Sequence, residues 1–150
     1  MFNVISFIRD SIKDSRALRS LFTGRTLSCT VTKGSNWSSA EIDAVLVGNC
    51  LRILLRATRK SASGVGNITN ETVCTAKINT LGLLTDVYNI AFTSGSTGPV
   101  ATFTTTGLEW VEDGILSVTI NMVATERAVT DISTYFTMVV TPNIEAHRSV

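Results

Sequence analysis

At 150 residues, 44% of them hydrophobic and 17% charged, the chain has the length of one ordinary domain and enough apolar material for one core, which excludes the disordered class. A formal net charge of +1 excludes the overall basic field that draws a protein onto phosphate backbones, so nucleic acid is not the default partner. The three cysteines, Cys29, Cys50 and Cys74, form no CxxC pair and meet a single histidine, which argues against structural zinc and for small buried thiols in a reducing compartment.

The opening segment spaces Phe2, Val4, Ile5, Ile8, Ile12, Leu18 and Leu21 three or four apart with Arg9, Asp10, Lys13 and Asp14 between them, which predicts an amphipathic helix to about Leu21, closed by Gly24. Polar residues recur too often here for a signal peptide, and no run in the chain is long enough to span a bilayer. Leu27, Cys29 and Val31 alternate with threonine and serine as a half-buried strand does, and Lys33-Gly34-Ser35-Asn36 stops it. The polar segment Lys33–Ala40, with Trp37 in it, reads as a loop.

Two signals compete over Glu41–Lys60. Ser38 and Glu41 could open a helix with Ile42, Val45, Leu46, Cys50, Ile53, Leu54 and Ala57 on its apolar face. Alternatively Gly48-Asn49 turns a hairpin whose second arm alternates Leu51, Ile53, Leu55 and Ala57 against Arg52, Leu54, Arg56 and Thr58. The hairpin is preferred, because a glycine inside a helix costs about 1 kcal/mol relative to alanine and the run is dense in Val, Ile and Leu.

Ser61–Asn70 reads as an exposed loop, and Asn70 as the N-cap of a second helix, Glu71–Phe92, burying Val73, Ala76, Leu81, Leu84, Tyr88 and Ala91. Its threonines are poor helix formers, so packing has to hold it. Thr93–Pro99 breaks the pattern. Val100–Trp110 and Ile115–Arg127 then flank Glu112-Asp113-Gly114 as a long hairpin, with Leu116, Val118, Ile120, Met122 and Ala124 inward. A last strand, Tyr135–Val140, ends before Pro142. The fold class expected is α+β, two helices packed on a mainly antiparallel sheet with a long hairpin, as a single domain over 1–142 with a tail at 143–150.

Few residues offer chemistry. His147, the one imidazole, falls in the expected tail, where nothing would orient it as an acid or base. Gly95-Ser96-Thr97-Gly98 lacks the spacing of a nucleophile elbow, and Gly64 and Gly66 have no lysine placed for a phosphate cradle. No catalytic, cofactor-binding or metal-binding residue is assigned, and no enzyme activity is expected. Asn36-Trp37-Ser38, Asn67-Ile68-Thr69 and Asn70-Glu71-Thr72 match glycosylation acceptors as chance does in a chain rich in Ser and Thr. Glu112 and Asp113 are explained by turn chemistry. Arg52, Arg56, Arg59 and Lys60 would lie along one strand and its end, a solvated face or else the charged rim of a subunit interface or the wall of a channel passing DNA without reading it. Trp110, at the end of a hairpin arm, could anchor a partner or lie in the core.

The element order, carried by the helix Met1–Leu21, the strands around Leu27–Val31 and Leu51–Thr58, the helix Glu71–Phe92 and the hairpin Val100–Arg127, resembles the tail-terminator or tail-completion proteins of tailed bacteriophages. These small neck proteins cap the tail tube as rings and join it to the head. The resemblance implies a homo-oligomeric ring, usually of six subunits, with tail-tube and head-connector proteins as neighbours, no cofactor, no membrane, and a place in a virion assembled in the host cytoplasm. On that reading Lys33–Ala40, Ser61–Asn70 and Thr93–Pro99 are docking loops that order on assembly. The competing readings are another virion structural subunit, of the tail tube or decorating the head, a small ligand-binding α+β domain, and last an enzyme.

Overall fold

Threonine, valine and isoleucine recur through most of this chain at the two-residue period of half-buried strands, and strand is what most of it forms. The computed structural model describes residues 4–60, 68–94, 101–124 and 131–149. Helix α1 (Val4–Phe22) leads into β1 (Arg25–Leu27), β2 (Cys29–Lys33), β3 (Trp37–Val47), β4 (Cys50–Arg59), β5 (Ile68–Asn79), β6 (Leu84–Ser94), β7 (Ala101–Glu112), β8 (Ile115–Ala124), β9 (Asp131–Pro142) and the short α2 (Ile144–Arg148). The fold is α+β in the broad sense, two helices and mostly antiparallel sheet.

The strands form two sheets, β1-β3-β4-β9-β6 and β2-β5-β8-β7, with every neighbouring pair antiparallel. Their inner faces share one core, in which Leu51, Ile53 and Leu55 of β4 meet Val118, Ile120 and Met122 of β8 and Phe136 and Met138 of β9. The stretch around Leu27–Val31 is two strands, because the chain crosses at Ser28 from one sheet to the other, where the Ser28 carbonyl accepts from Asn79 N.

Over 41–60 the hairpin is what forms: Gly48 takes φ +60 in the turn, and Leu51, Ile53, Leu55 and Ala57 all face the core. The loop expected at Lys33–Ala40 shrinks to residues 34–36, and Trp37 is wholly buried as the first residue of β3. Of the other two expected loops, 61–67 and 95–99 lie outside the described residues, while Ile68–Asn70 belong to β5 and Thr93 and Ser94 to β6.

The helix expected at Glu71–Phe92 does not form. Two strands, β5 and β6, occupy that stretch, joined by a turn in which Leu81 and Gly82 take φ 57 and 69. Asn79 Oδ1 accepts from Leu81 N within the turn, and Thr80 Oγ1 donates to the Gly114 carbonyl in the β7–β8 turn, so one local and one long-range side-chain bond hold it. The helical spacing was deceptive because β5 bulges between Thr72 and Cys74, which turns the consecutive Val73 and Cys74 both inward and breaks the two-residue alternation. The second helix of the fold is instead α2, in the stretch expected to be a tail.

Candidate functional site

Helix α1 is amphipathic, but its apolar face does not lie on the protein. The side it turns inward carries small residues: Ala17 and Ser20 are its buried residues. Val4, Ile5, Phe7, Ile8, Ile12, Leu18 and Phe22 are each at least half exposed. At about 100 Å² apiece, half of what a large side chain can bury, this stripe amounts to roughly 700 Å². That lies above what monomers ordinarily leave bare and near the ~800 Å² a partner gives to a standard interface. Ser11 and Ser15 leave a shallow channel along it between Phe7, Ile8 and Ile12.

What holds α1 in this inverted pose is the C-terminal segment. Asn143 caps α2 by accepting from Ala146 N, and its own N–H donates to the Leu83 carbonyl. His147, 2% exposed, shares a 2.8 Å hydrogen bond between Nδ1 and Ser20 Oγ, and Arg148 pairs with both Asp14 and Glu145. The histidine expected to dangle in a tail is therefore buried and oriented. Burial lowers its pKa, the Leu83 backbone partly opposes this, and the charge of Arg25 lowers it further. With serine on Nδ1 and the imidazole buried, the pair fastens two helices. At its other end α1 meets the β3–β4 turn, where Gly48 N donates to the Leu21 carbonyl.

The outer face of the five-stranded sheet carries a second apolar surface. Asp43, Leu54 and Tyr135 stand side by side across β3, β4 and β9, followed by the row Val45, Arg52 and Thr137 and the row Val47, Cys50 and Val139. Val45, Val47, Leu54 and Tyr135 line a groove there with Asp43 and Arg52. It reaches the foot of α1, since Gly24 sits against Val45 and Val47.

The cationic residues singled out on β4 divide in this geometry. Arg52 and Arg56 do share the outer face, Arg52 within the apolar groove and Arg56 paired with Asp43 at 2.8 Å. Arg59 instead turns to the other sheet, where it holds Glu71 through Nε and Nη2, each 2.9 Å, with both side chains only 12% exposed. Burial pushes the Glu71 carboxyl up, but hydrogen bonds from Arg59 and Asn36 and the charge of Arg59 hold it below its usual value. Lys60 is exposed at the strand end. Trp110, 41% exposed, lies on β7 of the four-stranded sheet, with Leu108 and Val111 nearby, and so does not join the arginines.

Sequence reasoning passed over Arg16, Arg19 and Arg25, which line one hollow with Ser20 and Thr23. The signal available was Arg16 and Arg19 one helical turn apart, with Arg25 just past the glycine that ends the helix.

Cys29, Cys50 and Cys74 are free thiols; burial pushes Cys74 up to about 12, and burial together with the Asp43 charge pushes Cys29 to about 11. Among the described residues no group of three His, Cys, Asp or Glu is placed to hold a metal ion, and no helix is long and apolar enough to cross a membrane. No protein-family model matches the chain, and no curated protein or solved structure matches it either.

Proposed function

We propose that this protein is a structural subunit that associates with copies of itself through the outward face of α1. The observation that carries this reading is the inversion of α1, whose side of small residues is spent on α2 while its apolar stripe faces water. A single chain gains nothing from that arrangement, because covering the stripe with a neighbour removes about as much apolar surface as a standard interface does. A second copy offers a fitting surface. The groove around Val45, Val47, Leu54 and Tyr135 is mainly apolar along its length and reaches the foot of α1.

The setting is the one the element order resembles, a ring in the neck of a tailed phage virion that caps the tail tube and joins it to the head, with tail-tube and head-connector proteins as neighbours. There the long β7–β8 hairpin presents Leu108, Trp110 and Val111 as a further contact. The loss of the expected helix at Glu71–Phe92 favours a second reading in the same class, a tail-tube or head-decoration subunit, since one argument for the neck protein was that helix.

Light scattering with negative-stain imaging of the purified protein tests both. A discrete ring with a central hole supports the neck subunit, while stacked rings or tubes support the tail-tube subunit and a closed oligomer without a hole the head-decoration subunit. Because Ile8 and Ile12 are exposed, Ile8→Ser/Ile12→Ser should dissolve either assembly while leaving the fold intact. A monomer at every concentration, or an oligomer indifferent to that variant, overturns self-association through α1.

A further inference from the structure

Arg16 and Arg19 on the last turns of α1 and Arg25 at the start of β1 surround one shallow hollow, with Ser20 and Thr23 between them. Like charges gathered around one concavity repel unless something negative lies among them. Three other arginines have such a partner within the chain: Arg56 has Asp43, Arg59 has Glu71, and Arg148 has Asp14 and Glu145. Among the described residues no carboxylate lies within ion-pair distance of Arg16, Arg19 or Arg25.

The hollow is also organised. Arg25 Nη2 donates to Ser20 Oγ at 3.4 Å, and Ser20 is in turn fixed by the buried His147. A helix C-terminus ordinarily repels anions through its bare carbonyls. Here the Arg19 carbonyl accepts from both N and Oγ1 of Thr23, and the Leu21 carbonyl accepts from Gly48 N. Favourable interaction with the helix dipole accounts for Arg19 in the last turn, but it gives no reason for Arg25, which lies beyond the helix, to join it.

We propose that this hollow binds a phosphate group, either as the free ion or carried on a nucleic-acid backbone. Guanidinium forks engage phosphate oxygens in pairs, and three of them around one hollow match that chemistry better than they match a carboxylate, which has only two oxygens to offer. The site is formed by residues of one chain. It also moves the place where DNA would touch this protein away from β4, where Arg56 and Arg59 are already matched by carboxylates.

The test compares the wild type, the triple variant Arg16→Gln/Arg19→Gln/Arg25→Gln and the control Lys77→Gln, whose exposed lysine lies on β5 of the other sheet. Each is titrated with inorganic phosphate by calorimetry and with a labelled DNA duplex by fluorescence anisotropy, after circular dichroism has shown it folded. The single variant Arg19→Gln stands in should the triple variant not fold. Phosphate binding lost in the triple variant and kept in the control, with no duplex binding, assigns a site for the free ion. Duplex binding weakened at least tenfold, with the salt slope reduced by up to about 2.7 for three contacts, assigns the nucleic-acid backbone. Neither ligand binding the wild type, or the triple variant binding as the wild type does, overturns the proposal.

Discussion

Ser20 Oγ and His147 Nδ1 lie 2.8 Å apart although 127 positions separate them in the chain, and both side chains are buried. The first helix is thus fastened to the last. Removing the hydroxyl strands a buried imidazole nitrogen, which costs about 1–3 kcal/mol. Ser20→Ala should lower the denaturant midpoint accordingly with an unchanged m-value, and α1 should exchange its amide protons faster than the strands do. Equal protection of α1 in variant and wild type would show that this bond does not hold the helix.

The same histidine makes the clamp sensitive to acid. Its folded pKa lies below the ordinary 6.5, chiefly through burial, so as pH falls through about 6.5 the unfolded chain takes up a proton before the folded one does. Stability contributed by neutral His147 is full above that point and declines as the pH drops toward the lowered folded value. Thermal melts between about pH 7 and 5 should show the wild type losing stability more steeply than His147→Gln. Parallel curves would remove His147 as the cause.

Much of the sheet was legible because its alternation is undisturbed: Leu51, Ile53, Leu55 and Ala57 on β4 and Leu116, Val118, Ile120, Met122 and Ala124 on β8 all reach the core. Where a bulge sets Val73 and Cys74 on the same side, the period of two is lost, and Val73, Ala76 and Leu84 mimic a helical face. The orientation of α1 was hidden for a different reason. Periodicity finds an apolar stripe and presumes that it faces the core, but which side faces inward was decided by Ser20 and Asp14 finding His147 and Arg148 near the far end of the chain. No local pattern encodes such a pairing. Likewise the spacing of Arg56 and Arg59 carried no trace of Asp43 and Glu71, their partners on β3 and β5.

The Arg59–Glu71 pair ties β4 of one sheet to β5 of the other, and Asn36 Nδ2 donates to the same carboxylate at 2.7 Å. Breaking a buried pair by neutralising one partner leaves the other charge uncompensated, so Glu71→Gln should cost about 3 kcal/mol. Because the folded pKa of Glu71 is lowered, its contribution is present above the ordinary 4.5 and disappears as pH falls through the folded value. The destabilisation measured by urea unfolding should therefore be full near neutral pH and shrink in acid. A constant difference across that range would mean that the lost hydrogen bonds matter and the charge does not.

Gly34, between β2 and β3, has the least room for a side chain among the described glycines. Its N–H donates to the Val73 carbonyl, its own carbonyl accepts from Trp37 N, and a methyl placed on it would fall 2.0 Å from the Thr72 carbonyl oxygen and 3.2 Å from Trp37 Cδ1. Backbone cannot yield as a flexible side chain can, so Gly34→Ala has to part β2 from β5 or shift the wholly buried Trp37. We expect a cost of about 3 kcal/mol, at the upper end for overpacking, and hence a fall in Tm of roughly 6–12 °C for a chain of this length. Gly24→Ala is the control, since its methyl would meet Val47 Cγ2 at 3.5 Å, an ordinary contact, and should change stability by no more than about 0.5 kcal/mol. Tryptophan fluorescence separates the two ways in which Gly34→Ala can relax. A red shift in the folded state places the strain on Trp37, and an unshifted spectrum with faster amide exchange in β2 places it on the strand pair. A Gly34→Ala protein as stable as Gly24→Ala would mean that β2 and β5 do not approach each other this closely.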